Sequence, residues 1–174
     1  MKIPMLDFYR QNQASPVRQE IENLKRHFER RSALYTSLGV LPLFVSGRSV
    51  LEIGPGSGMN ALYTSTLNPK RYELVEGNPT GVRHINELFS KFKSLKKPIR
   101  IHQKTLSQFS RSTNQKYELV LCEGVLGGFS KPKSALQLLY RLTAPTGILV
   151  ITTIDSISTL AENVRRLCAY RCYD

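Results

Sequence analysis

The sequence predicts a three-layer αβα sandwich built on a mostly parallel sheet. Three observations predict it. Short β-rich runs alternate with segments whose apolar residues recur at helical spacing, the pattern of strands joined by right-handed helical crossovers. One run, Ile148-Leu149-Val150-Ile151, is apolar throughout, as suits a strand covered on both faces. Another run, Ser49 to Ile53, leads directly into closely spaced glycines, which let a chain turn sharply from strand to helix. A length of 174 residues suits one domain, and 41% hydrophobic residues suffice for a buried core.

Along the chain, the first fifteen residues read as an irregular lead-in. Ser15 offers an N-cap oxygen and Pro16 suits a first helical turn; Val17, Ile21, Leu24, Phe28, Tyr35 and Leu38 follow at helical spacing, and Gly39 can end that helix. Residues 1–40 are thus expected as lead-in and helix, and 41–174 as the main domain. Ser49 to Ile53 is the first strand. A short helix with Met59, Ala61, Leu62 and Leu67 follows and is broken by Asn68-Pro69. Tyr72 to Glu76 is the second strand. Asn78-Pro79 opens a helix with Val82, Ile85, Leu88, Phe89 and Phe92 on one face. Ile99 to His102 and Tyr117 to Cys122 are the third and fourth strands. A helix around Ala135 to Leu142, closed by Pro145 and Gly147, precedes the fifth strand at Ile148 to Ile151. Asp155 or Ser156 can cap a last helix carrying Ile157, Leu160, Val164, Leu167 and Cys168. The expected spatial order of the strands is third, second, first, fourth, fifth.

Composition narrows the function classes. No run of 18 apolar residues exists, so no membrane-spanning helix is expected, and the first residues lack the apolar stretch of a signal peptide. Cys122, Cys168 and Cys172 form no even set and no CxxC pair; they read as reduced thiols of a cytoplasmic protein. His27, His84 and His102 show no ligand spacing, so no metal is expected. The net charge of +12 makes an anionic partner, nucleic acid included, a reasonable expectation. The cations gather at Lys25, Arg26, Arg30 and Arg31, at Lys91 to Lys104, and at Arg165, Arg166 and Arg171. No aromatic platform is interleaved with them, so a solvated face and a functional basic face both stay open.

The chemistry concentrates at Glu52-Ile53-Gly54-Pro55-Gly56-Ser57-Gly58. Glycines at every second position let a ligand approach the backbone, and the helix that follows presents free N–H groups to an anion. The dinucleotide fingerprint G-x-G-x-x-G would need its last glycine at Met59. Glu52, two places before the first glycine, disfavours a pyrophosphate and favours an ammonium group. Glu76 ends the second strand twenty residues after Gly56, where a carboxylate can accept hydrogen bonds from both ribose hydroxyls. That device serves any adenosine ligand.

These residues resemble the first motif of class I S-adenosylmethionine (SAM)-dependent methyltransferases, E/D-x-G-x-G-x-G, in which Glu52, Gly54, Gly56 and Gly58 all fall in place. The resemblance covers about residues 15 to 171 and implies a Rossmann-like domain with SAM as cofactor, contacted by Glu52, Gly54, Pro55, Gly56, Gly58 and Glu76. The family often has a bulky apolar residue after that last acid, packed on the adenine; Gly77 and Asn78 stand here instead. Thr105 occupies the place of an acid that meets the adenine amino group, with Leu106 beside the base. Glu123, after the fourth strand, falls where the family faces the sulfonium and the substrate, either touching the methionine part of SAM or orienting a nucleophile. Thr143 to Val150 partly matches a Pro-Gly-Gly turn, with Thr146 in place of one glycine. The family's sheet normally carries two further strands, the last antiparallel, so the domain is expected to be C-terminally incomplete. The fifth strand would then be an open edge, inviting self-association, with the last helix covering one of its faces. The methyl acceptor and the catalytic residues are not legible. Two other readings stay open: a nicotinamide-dependent oxidoreductase, and a non-catalytic nucleotide- or RNA-binding module that keeps the fold.

Overall fold

A computed structural model describes residues 2–14, 23–92, 99–153 and 155–172. Its centre is a sheet of five parallel strands whose order follows from chain reversal after the third. Strand β1 (Ser49–Ile53) lies in the middle. The chain then winds outward through α4 (Met59–Thr66), β2 (Arg71–Val75), α5 (Pro79–Lys91) and β3 (Ile99–His102). It crosses back by α6 (Leu106–Ser112) to β4 (Tyr117–Cys122), and α7 (Pro132–Leu142) leads to β5 (Thr143–Ile151). The spatial order is β3-β2-β1-β4-β5, as expected, and all four pairings are parallel. Before the sheet come α1 (Pro4–Gln11), α2 (Leu24–Ser37) and the single turn α3 (Pro42–Val45); after it comes α8 (Ser156–Cys172).

Alternation along the strands sorts side chains into two cores. Val50 and Leu119 face one layer with Tyr35, Ala61 and Ile85 from α2, α4 and α5. Leu51, Ile53 and Val120 face the other with Leu106, Phe109, Ala135 and Leu139 from α6 and α7. Residues on both faces are fully enclosed, which is why the strands read as near-continuous apolar runs.

Several local expectations change. The lead-in is not irregular: α1 stands there, with Pro4 in its first turn and Asp7 near its positive end. The described part of α2 begins at Leu24 under an Asn23 cap, whose Oδ1 accepts from the Arg26 amide at 3.0 Å. The Ser15 cap and Pro16 lie outside the described residues. Helices α3 and α6 stand where no element is expected. Thr105 and Gln108 form a reciprocal capping box that starts α6, a T-x-x-Q signal visible in the sequence. Pro145 and Gly147 do not close α7; they lie in the first half of β5, where the register against β4 shifts between Tyr117 and Leu119. A Cβ at Gly147 would stand 2.9 Å from the Tyr117 carbonyl oxygen, so only glycine fits this irregularity.

The last helix departs most. Leu160, Val164 and Leu167 do not cover β5: together with Ile157 they are 50–80% exposed. These side chains therefore contribute little to the stability of the fold. Leu139→Ala, in the enclosed core, should cost roughly 2–5 kcal/mol. Leu160→Ala should change stability by less than about 0.5 kcal/mol. Urea denaturation of both variants checks this, and a large loss at Leu160 would mean that α8 packs in solution.

Candidate functional site

The carboxyl ends of β1, β2 and β4 converge, and the residues after them build two adjoining cavities. The turn after β1 sets the shape. Gly54, Gly56 and Gly58 have φ of +70°, +60° and +85°, a left-handed region that side chains rarely adopt. The three are not equivalent. A Cβ on Gly54 would stand 2.5 Å from Val125 Cγ2, so its bareness lets the loop after β4 close against the turn. A Cβ on Gly58, the N-cap of α4, would press on Ile85 at 3.1 Å. A Cβ on Gly56 would meet nothing within 4 Å, so this position faces open space.

The first cavity, about 150 Å³, lies on the β2 side of this turn. Its floor is apolar: Ile53, Val75, Leu106 and Phe129. Its polar rim includes Glu76, Gly77, Asn78 and Thr105, four residues that the sequence singles out as site candidates, and Lys104, which it does not. Glu76 is 7% exposed, and its oxygens accept from the Asn78 amide at 2.7 Å and the Gly56 amide at 3.1 Å. Burial raises the Glu76 carboxyl above its ordinary range, against the pull of those amides. The Thr105 hydroxyl exchanges hydrogen bonds with Gln108, so it is engaged in capping α6. Leu6 and Tyr9 of α1 close the cavity from above. Nothing in the distant motifs announces them; the signal was local, in Pro4 and Asp7.

The second cavity, about 360 Å³, shares Gly54, Gly56, Gly124 and Val125 with the first and extends past Ser57, Met59, Asn60, Glu123 and Thr152. Glu123 is its acid. Both Glu123 oxygens are held by Arg31 of α2, Nη1 to Oε2 at 2.8 Å and Nη2 to Oε1 at 2.7 Å, and the Tyr35 hydroxyl donates to Oε1 as well. Burial would raise this carboxyl, but Arg31 outweighs it and holds Glu123 below the ordinary range. Arg31 and Tyr35 sit four residues apart on α2, yet their partner is about ninety residues away, so no local pattern foretells the cluster.

Glu52 lines neither cavity. It is buried beneath them, where the Tyr72 hydroxyl donates to its Oε2. Burial, reinforced by the neighbouring Glu123 charge, pushes Glu52 up to about 7. The structure therefore brings Gly54, Pro55, Gly56, Glu76, Gly77, Asn78, Thr105, Leu106 and Glu123 to the cavity walls, and keeps Glu52 and Gly58 behind the turn as supports. Among the described residues no group of three or more His, Cys, Asp or Glu could hold a metal ion.

The sequence pattern of one protein family, described as "Methyltransferase domain", matches residues 18–172. No curated protein matches the chain in sequence. Solved structures share its fold. Magnesium protoporphyrin IX methyltransferase from Synechocystis PCC 6803, with bound S-adenosylhomocysteine (SAH), superposes with a TM-score of 0.66 at 14% identity, covering 94% of this chain and 78% of that one. An N-methyltransferase from Bradyrhizobium japonicum WM9, in complex with SAH, gives 0.59 at 22% identity over 86% and 71%. A Pyrococcus horikoshii protein gives 0.54 at 16% identity over 79% of this chain, which spans 64% of its length.

The raised Glu52 carboxyl makes stability depend on pH. Its folded value, about 7, exceeds the ordinary 4.5, so between these values the folded state binds the extra proton. Stability from this group is full below pH 4.5 and is lost as pH rises through 7. Glu52→Gln should flatten that decline, removing a difference of up to about 3 kcal/mol between pH 5 and pH 8. Thermal unfolding of both proteins across this range decides it; parallel pH curves would show that Glu52 is ionised throughout.

Proposed function

We propose a reaction on one premise: the chain belongs to the class I SAM-dependent methyltransferases, with SAM as its methyl donor. The observation that carries the reading is Glu76, a buried carboxylate fixed by two amides at the junction of an apolar cavity and an open glycine turn. The residues present fit the cofactor. Glu76 would accept the ribose hydroxyls with its remaining lone pairs. Val75, Leu106 and Phe129 would flank the base. The open space at Gly56, beside the uncapped N-terminus of α4, would admit the amino-acid portion.

When bound, SAM supplies an activated methyl carbon, and displacement at that carbon needs chiefly alignment and exclusion of water. The chain's own share is therefore positional. The second cavity, which shares Gly54 and Gly56 with the first, would receive the acceptor. Glu123 is its sole carboxylate among the described lining residues, and Arg31 holds it ionised and doubly bonded. A carboxylate stabilised in this way is a weak base, so its role is to shape the cavity's field and anchor α2 over it. The acceptor then enters as a ready nucleophile, such as a neutral nitrogen. The net charge of +12 supports an anionic acceptor. No helix among the described residues is long and apolar enough to cross a membrane. Among the described residues Cys122 and Cys168 are free thiols, which supports a reducing, cytoplasmic location.

Two outcomes test the cofactor site by calorimetric titration with SAH. Glu76→Ala should weaken binding by roughly 1.5–3 kcal/mol, the usual worth of hydrogen bonds to a charged group; unchanged affinity would reduce Glu76 to a clamp for the glycine turn. Gly56→Ala should stay folded, at a cost of about 1 kcal/mol for a side chain in left-handed backbone, yet bind SAH at least ten times more weakly by filling the approach. Parent-like affinity in that variant would place the ligand elsewhere.

A further inference from the structure

We infer that α1 forms a wall of the adenine site, with Leu6 filling the space that a side chain at position 77 would take. The inference rests on the reading that the first cavity holds SAM. The position after Glu76 is Gly77, which offers the base no side chain. The space is nevertheless filled. A Cβ built on Gly77 would stand 2.8 Å from Leu6 Cδ2 and 3.5 Å from Leu6 Cδ1. Leu6 is 9% exposed and lines the cavity, as does Tyr9 one helical turn on. Bare backbone at 77 and a leucine delivered from the N-terminus are thus two halves of one packing solution.

Polar contacts hold α1 in register with this site. Arg10 donates to the Gly77 carbonyl oxygen twice, from Nη2 at 2.6 Å and from Nε at 3.1 Å. Asn78 Nδ2 donates to the Ala14 carbonyl oxygen at 2.8 Å, fastening the chain just beyond the helix to the same β2 end. At the other end of α1, the Lys2 carbonyl oxygen accepts from the Ser130 amide at 3.2 Å and hydroxyl at 2.9 Å. The helix is therefore strapped to both rims of the cavity, the segment after β2 and the segment after β4. Its fastening to Gly77 runs through the residue beside Glu76, so α1 and the ribose partner share one rigid segment. The side chain assigned to the base thus comes from a separate helix, and a ligand in the cavity should add to the contacts that hold α1 in place.

The test uses the full chain and four SAH titrations: the parent, Leu6→Ala, Gly77→Leu, and the double variant. The parent must bind SAH; if it does not, the cofactor reading itself fails. Given that binding, Leu6→Ala should lower affinity about tenfold, the order expected for losing part of a buried leucine contact. Gly77→Leu should lower it further by driving Leu6 and α1 off the site, and should expose the bond after Arg10 to trypsin. The double variant should recover most of the affinity, because the wall is supplied from position 77 instead. Thermal unfolding separates loss of binding from loss of fold. Parent-like affinity in Leu6→Ala, or no recovery in a folded double variant, overturns the inference.

Discussion

The site depends on one constraint, the backbone path from β1 into α4. Three residues in the left-handed region within five positions let the chain leave the sheet, approach the loop after β4 and enter a helix without any side chain in the way. Each clears a different neighbour: Val125 at Gly54, Ile85 at Gly58, and open space at Gly56. The first two are packing requirements, and the third leaves open space beside the turn. Glu76 is held by the amide of that same Gly56, so the geometry of the turn also determines where the carboxylate stands.

Charge at the site follows from burial more than from composition. Three carboxylates sit at the ends of neighbouring strands, and their surroundings drive them apart. Glu123 has an arginine on both oxygens and stays ionised. Glu76 has backbone amides and lies in a drier place. Glu52 has a tyrosine hydroxyl and full enclosure, and its proton is held up to about neutral pH. One arginine, Arg31, thus offsets the negative charge of the cluster, and the helix that carries it is pinned over the second cavity. Most of the chain's net positive charge is unconnected with this balance.

The ends of the chain show the contrast between packed and unpacked apolar surface. At the start, α1 leaves Met5 and Phe8 exposed, yet Leu6 is enclosed because polar straps at both ends of the helix set its place. At the finish, α8 carries a regular apolar stripe and leaves it in water. An amphipathic pattern specifies that a helix can be buried, and not against what.

The sequence by itself determined the sheet. Strands β1, β3 and β4 have the bounds their apolar runs predict, and strand order follows from alternation with helices and from the handedness of crossovers. It also determined the motif that names the cofactor, because left-handed backbone and a strand-end acid are local requirements written into residue types. Only the tertiary structure decided what those residues touch. Glu52 appears in the motif as a ligand partner, and the fold turns it beneath the cavities toward Tyr72. Arg31 and Leu6 reach the site from helices whose own patterns point to no partner, across separations of 92 residues to Glu123 and about 70 to Gly77. Local propensity and periodicity act over a few residues. Contacts at that range exist only after the sheet has brought the strand ends together, so no spacing in the chain could record them.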